Sequence, residues 1–245
     1  SATPLTAFGN ICTGTTAGPN SFTISGSNLT TANITVAALS GFTYSTTAAG
    51  TYTTSLSITQ PGGAFSQEIF VKFTPTAVQS YDGNIAVAGG GATSINVAAS
   101  GAGVNSLATV TSGAASGITT TAATVAGTIP SIGCTAVTAY GIEYSTTIGF
   151  PNGTGTSVPS TNLSGINFSS NLTGLTAGTI YYYHAYATNG AGTAYGTELN
   201  FTTTATSPTL TATTLTAFGN VCINTTAGPN SFIITGTALT APNVT

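Results

Sequence analysis

Residues 67–74 read QEIFVKFT, and the apolar side chains fall on every second position: Ile69, Val71 and Phe73 on one face, Phe70 and Lys72 on the other. In an extended chain successive side chains point to opposite faces, so this is the period of a half-buried strand. Working outward, similar runs lie near 5–12, 21–27, 33–38, 42–47, 53–59, 81–88 and 93–99. Further on they recur near 107–112, 118–128, 137–146, 166–173, 179–188 and 194–203, with Gly, Asn and Ser between them. Thr, Val and the aromatics favour strands, while Gly and Asn supply turns. The 3.6-residue period of a helix appears nowhere, so the expected fold class is all-β.

Charge is nearly absent. Lys72, Glu68, Asp82, Glu143 and Glu198 are the only Lys, Arg, Asp or Glu in 245 residues, where an ordinary domain is about a quarter charged. A membrane-spanning helix needs about 20 consecutive apolar residues, and Thr, Ser, Gly or Asn interrupts every apolar stretch here well before that. Disorder combines low hydrophobicity with high net charge, whereas this chain is 41% hydrophobic with ten Tyr and eleven Phe. Without a basic patch nothing could release counterions from phosphate, so nucleic acid is not an expected partner. Weak ionic repulsion should instead let such chains lie side by side. No secretion signal, sorting tail or lipidation motif is visible, and both ends read as cuts within a longer chain.

Residues 5–35, LTAFGNICTGTTAGPNSFTISGSNLTTANIT, return as residues 215–245, LTAFGNVCINTTAGPNSFIITGTALTAPNVT. The offset is a constant 210, and 21 of the 31 aligned positions are identical. One full period plus the start of the next is the signature of an array. Within the period, residues 1–103 and 104–205 form two units of the size of a seven-stranded sandwich, and residues 206–245 form a linker and the first strands of a third. Those strands cannot close a core alone. They belong either to a next module whose remainder lies beyond this chain or to a strand donated to a neighbour. Strand lengths at about 3.3 Å per residue make one period roughly 70–80 Å long.

The segment NLTGLTAGTIYYYHAYATNGAGTAYG (171–196) resembles the E–F–G region of fibronectin type III domains. Leu175, Gly178 and Tyr181 match that family's Leu, Gly and Tyr, with Tyr181 at the tyrosine-corner position. The resemblance puts Ala185 and Ala187 on the inward face and Tyr182, His184 and Tyr186 outward. TAYGIEYSTT (138–147) matches its strand C, with Tyr140, Ile142 and Tyr144 inward; the family's strand B tryptophan is absent. Residues 1–103, through GFTYSTTAAGTYTTSLSIT and EIFVKFTPTAVQSYDGNIAVAG, are similar to immunoglobulin-like modules of large bacterial surface proteins. Together the units resemble repetitive adhesins and filaments of Bacteroidetes-type bacteria. That resemblance implies secretion, a cell-surface location and a stalk role.

In a sandwich of this kind Cys12 lies near the far end of the first strand, and Cys134 lies in the B–C loop of the second module, at the pole facing the first. A disulfide between them would staple module to module, with Cys222 pairing to a cysteine beyond this chain. The alternative is two partly buried free thiols; an oxidising exterior favours the bond.

Chemistry is sparse. His184, the single histidine, reads as an outward-facing surface residue with at most one exposed contact to Glu143. A nucleophilic triad would need an acid beside it, and zinc would need further His or Cys ligands. Glu68 and Asp82 belong to a different module from Glu143 and Glu198, so no paired catalytic carboxylates are expected, and four scattered acids cannot supply the six to eight oxygens of a calcium site. Gly89, Gly90 and Gly91 lack the Lys and helix of a phosphate loop and read as a hairpin turn. Glycosylation sequons occur at Asn28, Asn33, Asn152, Asn162, Asn167, Asn171, Asn224 and Asn243. The expectation is a non-enzymatic, cofactor-free stalk or filament segment whose partners are other copies of the same chain. The alternatives are a surface module binding glycans through Tyr182 and Tyr186, or a spacer in a secreted polysaccharide-degrading enzyme.

Overall fold

A computed structural model describes residues 1–239; the sequon at Asn243 lies outside them. The described chain is strands and turns with no helix. Its first eight strands are β1 (Asn10–Cys12), β2 (Ala17–Leu29), β3 (Ile34–Val36), β4 (Phe42–Ser45), β5 (Leu56–Ile58), β6 (Gly63–Phe73), β7 (Gly83–Gly89) and β8 (Ala92–Ala99). The seven strands from β2 to β8 form two sheets, in the orders β2-β6-β4 and β5-β3-β7-β8. Ile69, Val71 and Phe73 of β6 are fully buried. Between the sheets they meet Phe22 and Ile24 of β2, Phe42 and Tyr44 of β4, Val36 of β3, and Ile85 and Val87 of β7. The Phe42 and Phe73 rings stack at 4.8 Å, and Phe8 leans on both at 5.8 and 5.6 Å. The alternation read from residues 67–74 therefore describes one wall of this core.

Only the last three residues of the expected strand 5–12 are a strand. Gly9, at φ +70°, turns the chain. Residues 1–8 attach by isolated bonds, such as the Thr3 amide to the Thr23 carbonyl at 3.0 Å and the Phe8 amide to the Ser100 carbonyl at 3.0 Å. β1 then pairs in parallel with β9 (Ala102–Val104). The glycine cluster forms the two-residue hairpin between β7 and β8, with Gly90 and Gly91 both at positive φ (61° and 75°), as the tight turn matching strand twist requires.

The next strands are β10 (Thr109–Ser116), β11 (Ala122–Ser131), β12 (Ala139–Ser145), β13 (Thr156–Pro159), β14 (Asn167–Thr173), β15 (Ile180–Asn189), β16 (Gly192–Tyr195) and β17 (Leu199–Thr202). Here the sheets run β10-β11-β14 and β13-β12-β15-β16, with β17 also on β15. Buried residues include Val125, Ile142, Leu172, Tyr183, Ala185 and Ala187. The run expected at 194–203 is two strands, broken at Gly196, where a Cβ would fall 2.6 Å from the Ser112 amide nitrogen. β13 was not expected: four residues ending in proline carry little strand signal.

Both sheet pairs contain a tyrosine corner. The Tyr181 hydroxyl accepts the Thr176 amide at 2.9 Å, and Tyr81 accepts the amides of Thr76 and Ala77, both at 2.9 Å. The local sequences, TAVQSY (76–81) and TAGTIY (176–181), share their spacing. Two antiparallel sheets, Ig-like strand orders and these corners make the fold an immunoglobulin/fibronectin-type β-sandwich architecture.

Compactness groups the residues somewhat differently from the sheets. One unit is Ser1–Val110 with Ile129–Tyr140 and Ala187–Ala194; the other is Thr111–Thr128, Gly141–Tyr186 and the residues from Tyr195 onward. Within the latter, β18 (Thr209–Ala212) and β19 (Ile234–Thr237) form a two-stranded ribbon with every residue exposed.

Candidate functional site

Inside the first compact unit, Cys12, the last residue of β1, is bonded to Cys134 in the loop between β11 and β12. The Cα atoms lie 5.3 Å apart, within the ordinary range for a disulfide. The bond closes a loop of 122 residues in sequence, which in the chain-entropy picture restricts the unfolded chain by about 4–5 kcal/mol. Cys222, the repeat equivalent of Cys12, carries an exposed free thiol.

Hydrogen bonds shape both sides of the bridge. The Cys134 amide donates to the Ser106 carbonyl at 3.2 Å, and the Ser106 hydroxyl points at the Cys134 sulfur at 3.2 Å. Asn189, nearly fully buried, donates from one amide nitrogen to the carbonyls of Ser106 at 3.0 Å and Ile132 at 2.9 Å. Its side-chain oxygen accepts the Ala191 amide at 2.9 Å. Gly133, beside the cysteine, has φ +72°, and a Cβ there would lie 2.4 Å from the Ser106 carbonyl oxygen; only glycine fits. On the other flank, Thr13 donates to Val104 and Gly14 to Pro75, at 3.0 and 2.8 Å. Asn189 and Gly133 were missed from the sequence. The available signal was an Asn-Gly at the end of a strand and a glycine adjoining the cysteine.

His184 was expected on an exposed face, and that expectation is overturned. His184 and Glu143 are each 3% exposed, and their Nε2 and Oε2 atoms lie 2.8 Å apart. Phe150 stacks on the imidazole at 4.6 Å between ring centres, and the Tyr195 ring meets it edge-on at 4.9 Å. Tyr186, also expected outward, is buried. The cause is the connection between β12 and β13, which folds back over the outer face of the sheet. Its Gly153 and Gly155 amides donate to the two oxygens of Glu143 at 3.0 and 2.6 Å. A Cβ at Gly155 would fall 2.7 Å from the Phe150 ring and from the Tyr144 carbonyl oxygen.

Burial pushes the Glu143 carboxyl up, but the His184 hydrogen bond, the two glycine amides and the histidine charge outweigh it and hold the group below its ordinary range. The neighbours of this pair are aromatic rings and backbone amides; its chemical effect is to pin the 146–155 connection onto the sheet. Among the described residues no group of three or more His, Cys, Asp or Glu could hold a metal ion, and no helix is long and apolar enough to cross a membrane.

No protein-family model matches the chain, and no curated protein is significantly similar to it. Among solved structures it is similar to the sensor domain of the anti-sigma factor RsgI4 of Pseudobacteroides cellulosolvens, at 18% identity and a TM-score of 0.31, over 41% of this chain and 98% of that one. It is similar to the FN1–FN3 domains of chicken CNTN1 at 13% identity and a TM-score of 0.32, and to the titin domains A168–A170 at 15% and 0.32. Each of these two matches covers 80% of this chain, which spans 65% and 61% of the respective structures.

Proposed function

We propose that the chain is a structural segment of a repetitive extracellular stalk or filament, secreted to the cell surface and built from sandwiches strung in tandem. The observation that carries this reading is the 210-residue period, 21 of 31 positions identical, which restarts after a pair of sandwiches. The Cys12–Cys134 bond supports it in two ways. It ties the β11–β12 loop to the end of β1, and such bonds persist in oxidising exteriors. A surface wetted by hydroxyls and amides lets neighbouring copies approach with little ionic repulsion. The reading gives the chain no catalytic task, and the Glu143–His184 pair serves stability within it.

Electron microscopy of the native material tests this. Fibres with an axial repeat of roughly 70–80 Å, the length of one period of extended sandwiches, are expected. Particles without axial periodicity would overturn it.

A further inference from the structure

In the second copy of the repeat, the ladder between β18 and β19 pairs Thr209 with Thr237, Leu210 with Gly236, Thr211 with Thr235 and Ala212 with Ile234. Shifted by 210, the last two pairs become Ser1 with Ser25 and Ala2 with Ile24. Both exist in the first copy. Ala2 bridges Ile24, the Ser1 amino group donates to the Ser25 carbonyl at 2.8 Å, and the Ser25 amide donates back to Ser1 at 2.9 Å. The first two pairs would fall on Gly26 and Ser27, the stretch of β2 just beyond Ser1. A cavity of about 520 Å³ opens there, lined by Ile24, Leu29, Ile34, Phe65 and Ile95 with Ser1 at its rim.

We propose that this cavity is the seat of the chain stretch that leads into a repeat, with the sequence TSPTL of residues 206–210, arriving from another period of the array. This rests on the tandem-stalk reading above. Residues opposite one another in an antiparallel pair share a face, and that face recurs at every second position. Ile24 points into the core at 5% exposure, so Gly26 faces the same way, and so does the leucine paired with it. The Leu29 side chain lies over Gly26, 2.9 Å from where a Cβ would stand, so the incoming leucine packs against Leu29 at the cavity wall. In the second copy the equivalent Leu210 is 54% exposed, because there β19 has no second sheet behind it. Seating turns the connection between periods from a tether into a sheet strand plugged by a leucine.

The pairing predicts which amide responds. Hydrogen-bonded pairs alternate along an antiparallel ladder. Ser1 and Ser25 are such a pair, so the next is Ser27 with the threonine of the incoming TSPTL. The full 245-residue chain is prepared in three forms: as it is, with TSPTL ahead of Ser1, and with TSPTD ahead of Ser1. Amide exchange at Ser27 is read by NMR. The TSPTL form should slow it about tenfold, the scale of one added backbone hydrogen bond, and TSPTD should not, since it would set a carboxylate against the Leu29, Ile34 and Phe65 side chains. Equal exchange in all three forms overturns the proposal. Protection at Ser27 without an axial repeat in the native material would remove the stalk and leave the seat standing; the reverse removes the seat alone.

Discussion

Residues 5–29 and 215–239 are nearly the same sequence in two surroundings. Their local bonds agree. Asn20 donates to the Thr6 carbonyl at 2.9 Å and Asn230 to that of Thr216 at 2.7 Å. The Thr15 and Thr225 hydroxyls reach the carbonyls of Cys12 and Cys222, both at 2.7 Å. The Thr23 and Ile233 amides each find a threonine hydroxyl at 2.8 Å. Burial separates them. Phe22 and Ile24 are 1% and 5% exposed, whereas Phe232 and Ile234 are each 50% exposed. The turn-and-ribbon conformation is thus carried by short-range bonding, while its stabilisation by the hydrophobic effect depends on β6 and the facing sheet, which among the described residues pack on the first copy.

The sharpest way to break this comparison is to truncate the same phenylalanine in both copies. Phe22→Ala should cost the first sandwich about 3–5 kcal/mol, and Phe232→Ala less than about 0.5 kcal/mol, as at an exposed position. Urea unfolding followed by resolved amide signals reads both. Equal costs would mean that the second copy is packed in solution.

The cysteines are the next test. Cys12→Ser should lower stability by roughly 2–5 kcal/mol under oxidising conditions and have a much smaller effect under reducing ones. Cys222→Ser should leave thermal unfolding unchanged in both. A matching loss at Cys222 would show that its thiol is engaged.

Acid provides the mildest contrast. Neither copy of the repeat contains an Asp, Glu, Lys, Arg or His, so their local bonds should be indifferent between neutral pH and about pH 4. Glu143 behaves otherwise. Its carboxyl is held below the ordinary value of 4.5, so the unfolded chain takes up a proton before the folded one does. Its stabilising contribution is complete above that value and is lost as the pH falls below it. Glu143→Gln should cost roughly 1–3 kcal/mol at neutral pH by weakening bonds to a buried charge and should flatten the acid limb of the unfolding profile. An unaltered acid limb would place the titration elsewhere.

Much of the fold was legible in sequence because strands with one buried face must alternate. Residues 67–74 showed this most cleanly, and the positions of most strands followed. The Gly90–Gly91 hairpin was legible because two successive positive-φ residues favour glycine. The cover on the outer face of β15 was not legible. Period-2 reasoning places His184 opposite Ala185 and Ala187 correctly, but it takes the face away from the core to be solvent. Here a second layer, Phe150 and its glycines, closes over that face. The second tyrosine corner, at Tyr81, was in plain view as TAVQSY and went unread because the surrounding motif is looser than that at Tyr181.

By itself, the sequence determined the strand period, the turns, the 210-residue repeat and the lack of charge, since each depends on neighbours a few residues apart or on composition. Only tertiary structure decided which faces were covered twice, that Glu143 and His184 meet 41 positions apart in a buried pair, and that Gly26 borders a cavity. Those outcomes depend on which surfaces meet across long stretches of chain. No local pattern encodes that, because the free energy of burial belongs to the assembled contact and not to either segment alone.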